Sequence, residues 1–258
     1  MKIKSRLMSR LDAWPLFGRQ RMKNRMLLYF PEHKIKYVKI PKNACSTVIN
    51  SLGWSVIQDR NPHEFDHVFT ETDQDTSEWP CLAVLRDPYD RLVSAYLNKL
   101  VIPSAKEPFA AEVLDTVWRN RRNQERPSEA STISFREFVQ YVSVRDDTLL
   151  DQHWQSQTYH IRATTPTLVI EMESLKESWN KSDVLRDVSL REFSPHATRS
   201  FLEINQDLSD FDGSDIAGFR RVAGQFPPQS AFRNPSLEKL VRERYAEDYD
   251  LRRRHGLQ

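Results

Sequence analysis

Lys42 stands in a short run, Pro41-Lys42-Asn43-Ala44-Cys45-Ser46-Thr47, that sets a cation among small polar side chains and a series of backbone N–H groups. That combination suits a phosphate. N–H groups that open a helix have no partner of their own, the helix dipole favours an anion there, and a lysine adds a movable charge. A second stretch, Arg86-Asp87-Pro88 continuing to Ser94, joins a guanidinium to a hydroxyl. A third, His63-Glu64-Phe65-Asp66-His67, has the spacing of a zinc-protease helix, in which two histidines one turn apart hold the metal.

The elements needed to position these groups can be read from the residues around them. Ile35, Tyr37, Val38 and Ile40 favour a strand that must stop at Pro41, and residues 46–52 then read as a helix closed by Gly53. The apolar run from Cys81 ends at Arg86. Asp87 suits the N-cap and Pro88 the first helical position, after which Leu92, Val93, Tyr96, Leu97 and Leu100 repeat at helical spacing. Arg86 is thereby expected at the carboxyl end of a strand, where open α/β sheets bind ligands, and Ser94 away from the apolar stripe. Further on, the sequence predicts a helix over Phe109–Asn123 between loops at 103–108 and 124–131, a strand over 167–173, and one final helix from Ser236 to Arg254.

The loop at 41–47 contains no glycine, so it is not a Walker A sequence. It resembles the 5′-phosphosulfate-binding loop of sulfotransferases, in the form seen in Golgi carbohydrate sulfotransferases. Arg-Asp-Pro-x-x-Arg-Leu-Val-Ser-x-Tyr, from Arg86 to Tyr96, is similar to the 3′-phosphate motif of the same family. Asp151-Gln152-His153-Trp154 resembles a segment of chondroitin-type members, and residues 194–200 loosely resemble a late loop that closes over the nucleotide in uronyl 2-O-sulfotransferases.

This resemblance covers roughly residues 35–258 and implies a P-loop-like α/β fold, a central parallel sheet with helices on both faces. It implies 3′-phosphoadenosine 5′-phosphosulfate as co-substrate, no metal, and a hydroxyl acceptor, expected to be a carbohydrate. Lys42 would neutralise the leaving phosphate oxygen. The loop residues Lys42, Asn43, Ala44, Cys45, Ser46 and Thr47 would hold the 5′-phosphate, the last two also through their hydroxyls. Arg86 and Ser94 would hold the 3′-phosphate, with Arg199 and Ser200 as further nucleotide contacts. His67-Val68 stands where the uronyl enzymes have a His-Val whose histidine is the base, so His67 is assigned that role, with His63 as its rival. A histidine titrates near working pH and can take a hydroxyl proton. His153 either faces the acceptor or packs.

Two other functions stay open on the residues alone: a nucleotide kinase of similar fold, and a non-catalytic nucleotide- or glycan-binding module. The zinc reading is weakened by Pro62, which confines His63 to a first helical turn, and by the poor helix sequence at 70–73.

Composition suits one globular domain over 35–258 preceded by a basic arm over 1–34. The 258 residues are 39% hydrophobic and 29% charged, with a net charge of +2. Residues 1–39 hold eleven Lys/Arg against two acids, leaving the rest about −7. This is no nucleic-acid footprint, although the arm suits peripheral contact with a membrane surface. No apolar run has the length of a membrane span, and no signal-peptide core is visible. The two cysteines, Cys45 and Cys81, show no disulfide framework. These features carry the expectation of a cytoplasmic, bacterial enzyme. Acceptor choice is expected in residues 101–147, which match nothing specific.

Overall fold

The computed structural model describes residues 26–101, 107–194, 198 and 200–257. Its sheet has four strands in the order β1 (Leu27–Phe30), β2 (Ile35–Val38), β3 (Cys81–Leu85), β4 (Leu168–Glu171). The pairs β2/β3 and β3/β4 are parallel, whereas β1 and β2 form an antiparallel hairpin. The sheet therefore begins inside the stretch that the sequence reading gives to a basic arm.

Ten helices follow in chain order: α1 (Cys45–Leu52), α2 (Trp54–Ile57), α3 (Pro88–Lys99), α4 (Pro108–Arg121), α5 (Phe135–Ser143), α6 (Gln157–Ile161), α7 (Leu175–Lys181), α8 (Gly213–Ala223), α9 (Pro235–Arg244) and α10 (Ala246–Arg254) among the described residues. Single 3-10 helices run over Pro62–Phe69, Asp147–Leu149 and Gln229–Phe232.

Successive side chains of a strand point to opposite faces, and both faces are covered here. Leu28, Phe30, Ile35, Tyr37, Leu82, Val84 and Ile170 pack with Val48 and Ile49 of α1 and Trp179 of α7. Val38, Cys81 and Leu85 pack the other way, against Leu251 of α10, with Ile161 of α6 beside them. A separate helical core gathers around α3: Leu92, Tyr96 and Leu97 meet Val113 and Leu114 of α4, Phe138 of α5, Leu237 and Val241 of α9, and Trp154. Each such large side chain contributes about 1.5–3 kcal/mol when fully buried. The seam between sheet and helical core is where β3 hands over to α3.

The caps match the sequence. Asp87 accepts from Asp90 N–H at 3.0 Å and Pro88 opens α3. Gly53 does end α1, but at φ −103°, so left-handed freedom is not its purpose. A Cβ there would lie 2.6 Å from the Phe69 ring. The expected single C-terminal helix is two, broken at Tyr245 (φ −111°, ψ 30°). That break carries the Tyr245 hydroxyl into the core, where it donates to Trp154 O at 2.5 Å.

Candidate active site

The loop between β2 and α1 is a cradle of N–H groups. Lys42 (φ 71°) and Ala44 (φ 55°) are both left-handed without being glycine, a strain of about 1–2 kcal/mol each. Such alternation turns successive N–H groups into one concave anion nest. Ala44 is also the N-cap of α1 and supplies no side-chain cap. The N–H groups of Lys42, Ala44, Cys45, Ser46 and Thr47 are thus left without partners among the described residues.

Not every loop residue faces the cradle. Asn43 N–H donates to Ile40 O at 3.2 Å, and its side-chain amide donates to Val84 O at 2.8 Å and Gln157 Oε1 at 2.5 Å. Asn43 therefore braces the loop against β3, contrary to its assignment as a phosphate ligand. The Thr47 hydroxyl is likewise engaged, donating to Phe193 O at 3.3 Å and accepting from Phe193 N–H at 3.2 Å. Only its N–H remains for an anion. Ser46 Oγ lies 2.8 Å from His63 Nε2.

Two buried guanidiniums and one half-buried ammonium surround this loop. Lys42 Nζ donates to Asn98 Oδ1 of α3 at 3.0 Å. Burial, aided by the charges of Lys99, Arg86 and Arg91, lowers its ammonium to about 7. Arg86 donates to Lys42 O at 3.1 Å and to Gln229 Oε1 at 3.0 Å, while its Nε is buried without a partner. Among the described residues Arg91 donates only to backbone carbonyls: Pro41 at 3.0 Å, Gln155 at 2.6 Å and Gln152 at 3.2 Å. Burial pulls both guanidiniums below their usual range. None of the three forms an ion pair with a carboxylate among the described residues. A buried charge with no carboxylate in direct contact is costly, and carboxylates farther off compensate Arg86 and Arg91 only in part, so the arrangement is suited to receive a polyanion.

Ser94 closes a polar ring beside Arg86. Its Oγ is 3.2 Å from Thr198 Oγ1, which accepts from Gln229 Nε2 at 3.2 Å, and Gln229 returns to Arg86. The segment 194–200 thus reaches α3, though through Thr198. Arg199 lies outside the described residues, and Ser200 accepts from Leu202 N–H at 3.2 Å, with no contact to this ring.

The histidines separate. In the 3-10 helix Pro62–Phe69, residues three apart align and residues four apart do not. His63 accordingly meets Asp66 (Nδ1 to Oδ2, 3.8 Å), which also pairs with Lys39. The Asp66 carboxylate, then the contact with Cys45, raise His63 to about 9. It is a cation at neutral pH, unsuited to act as base. His67 is exposed and its ring makes no hydrogen bond among the described residues. Its assignment as base rests on its place in the sequence, and nothing among the described residues orients its ring. The same rotation separates the two histidines as zinc ligands, and among the described residues no group of three or more His, Cys, Asp and Glu is placed to hold a metal. Cys45, buried 4.0 Å from His63, has its thiol lowered by that imidazolium, Lys39 and Lys42, despite an opposing effect of burial. Burial, with smaller effects of Lys99 and Lys42, lowers the His153 imidazole below its ordinary value, against the pull of Asp151.

The sequence model described as "Sulfotransferase family" matches residues 25–251. This chain belongs to the sulfotransferase family. Carbohydrate sulfotransferase 14 of Mus musculus and of Homo sapiens are each 28% identical to it over 169 residues, a stretch covering 58% of this chain and 43% of theirs. The match thus spans less than half the length of these curated relatives. No solved structure gives a significant match. Both relatives are mammalian carbohydrate sulfotransferases, which overturns the expectation of a cytoplasmic, bacterial enzyme. The sulfotransferase sheet and loop lie within the matched region, and among the described residues no helix is long and apolar enough to cross a membrane. Most of the basic stretch, through residue 25, lies outside the described residues.

Proposed function

We propose that this sulfotransferase moves a sulfuryl group from 3′-phosphoadenosine 5′-phosphosulfate to a hydroxyl of a carbohydrate. The observation that carries the reading is the convergence of half-buried Lys42 and buried Arg86 and Arg91, none in an ion pair with a carboxylate among the described residues, on a loop of free N–H groups. Family membership names the transferred group, and the relatives' names supply the acceptor class.

The loop N–H groups and Ser46 hold the 5′-phosphate, while Arg86, with its free Nε, and Ser94 hold the 3′-phosphate. Arg91 does neither: its bonds to Pro41, Gln152 and Gln155 fix the loop relative to the segment that carries His153. Lys42 lies near its own titration point when the site is empty, and an arriving anion holds it protonated. It then stabilises the charge that grows on the leaving oxygen. Little covalent work falls to the protein, and most of the rate comes from positioning and preorganised charge.

Calorimetry with 3′,5′-adenosine bisphosphate against ATP plus magnesium tests this. Tight metal-independent binding of the bisphosphate is expected. Preference for magnesium-ATP would instead support a kinase.

A further inference from the structure

His153 is tied into the donor site by two independent routes. Arg91 holds Pro41 O, next to Lys42, and also Gln152 O and Gln155 O, which bracket His153. One guanidinium thus ties together the two backbone segments that carry Lys42 and His153. On the other side, Lys42 bonds to Asn98, whose neighbour Lys99 lies 5.7 Å from the centre of the Phe109 ring, and that ring stacks on His153 at 5.2 Å. The imidazole itself is oriented. Its Nδ1 is 2.6 Å from Asp151 Oδ1, an oxygen that also accepts His153 N–H at 3.0 Å, whereas Nε2 has no partner among the described residues. The segment is rigid from behind, through Tyr245 to Trp154 O and through Asp147, which accepts from Ser156 N–H at 2.8 Å and from Arg244 at 2.6 Å.

We propose that His153, held by Asp151, is the general base that takes the acceptor proton in the transfer described above. This rests on the sulfotransferase reading. The acceptor O–H bond breaks with its proton passing to His153 Nε2, the acceptor oxygen bonds to sulfur, and the bond from sulfur to the 5′-phosphate oxygen breaks. That oxygen leaves as part of adenosine bisphosphate, beside protonated Lys42, and His153 later returns its proton to solvent. Asp151 is a positioning residue: accepting from Nδ1 leaves the Nε2 lone pair for the acceptor. The titratable groups whose charges act on the ring are Asp151 from its own segment, Lys99 from α3, Lys42 from the loop, and His160 from α6. Burial, with Lys99 and Lys42, lowers His153 below its ordinary value, and Asp151 opposes this. The ring is thereby neutral and ready at neutral pH.

The test is transfer from the phosphosulfate to a panel of desulfated glycosaminoglycan chains, measured across pH for wild type, His153→Gln and Asp151→Asn, with bisphosphate affinity for each. In wild type, kcat should fall as pH drops below the ordinary histidine range. His153→Gln should lose about 10²–10⁴ in kcat and the acid limb with it, with bisphosphate affinity within about threefold of wild type. Asp151→Asn keeps an acceptor for Nδ1 but not the charge, so kcat should fall about tenfold or more and the acid limb should move to lower pH. A purely structural role for Asp151 would not move that limb. The proposal is overturned if His153→Gln turns over normally, if the limb stays in place in both variants, or if His67→Ala is the dead variant. A wild type that binds the bisphosphate but sulfates no chain overturns the base and the transferase reading together. One that transfers normally alongside an active His153→Gln overturns the base alone.

Discussion

Arg122 and Arg86 are the same residue type in opposite electrostatic settings. Arg122 bonds to both oxygens of Glu137, at 2.9 and 2.8 Å, and to Asp212 at 2.9 Å, and lies over the Trp118 ring. It thereby joins the capping box of α5 to the N-cap of α8, and its guanidinium is held above its ordinary range by Glu137. Arg86, more deeply buried, has a carbonyl, an amide and an unsatisfied Nε. A fold that wanted only stability would have compensated it as it compensated Arg122. The contrast separates cations that hold the structure together from cations reserved for a ligand, and it can be broken experimentally.

The largest effect is expected at Lys42. Lys42→Ala should lower turnover by roughly 10²–10³, as loss of one preorganised donor does, while bisphosphate affinity changes less. Full turnover in steady-state assays would remove Lys42 from the reserved set. A pH series sharpens the same point. The free ammonium titrates at about 7, and a bound phosphate raises it. Binding therefore takes up a proton above pH 7, and affinity should weaken by up to about tenfold per pH unit as pH rises from there. Lys42→Arg stays charged and should flatten that slope.

Arg122→Ala should do the reverse of a site mutation. Urea denaturation should show a loss of about 1–3 kcal/mol, as for a hydrogen-bonded charge removed from its partners, with bisphosphate affinity unchanged. Weakened nucleotide binding in a folded Arg122→Ala protein would blur the distinction between the two classes. Ser94→Ala gives the smallest effect. One neutral hydrogen bond is worth about 0.5–1.5 kcal/mol, so preference for a 3′-phosphate should drop by about two- to tenfold.

The residues legible in the sequence are those whose role is set by chain neighbours. Lys42, Arg86 and the capped α3 follow a strand that must stop, so a local pattern was enough to place them. Asn43 and Thr47 show the limit of such a pattern, because residue type does not reveal direction. Asn43 points into the sheet to reach Gln157, and Thr47 points to Phe193. Arg91 escaped notice as a site residue because its partners are backbone carbonyls, which have no signature in sequence. Gln229 and Thr198 join Arg86 and Ser94 only by contacts between distant parts of the chain. The histidines at 63 and 67 read as neighbours on an α-helix, yet the segment winds as a 3-10 helix and turns them apart. The break at Tyr245 is invisible to periodicity, because the apolar pattern runs through it.

The central claim is that Arg86 is held in reserve for a phosphate, and a pair of affinities tests it most directly. Calorimetry of wild type and Arg86→Ala with adenosine 5′-phosphosulfate, with and without the 3′-phosphate, isolates the bonds that Arg86 can make to that group. Charge-assisted bonds of this kind are worth about 1.5–3 kcal/mol, so wild type should prefer the 3′-phosphorylated nucleotide by at least about tenfold. In folded Arg86→Ala that preference should collapse, with affinity for the nucleotide lacking the 3′-phosphate nearly unchanged. A wild type that does not distinguish the two nucleotides, or an Arg86→Ala protein that binds both equally more weakly, would contradict the account.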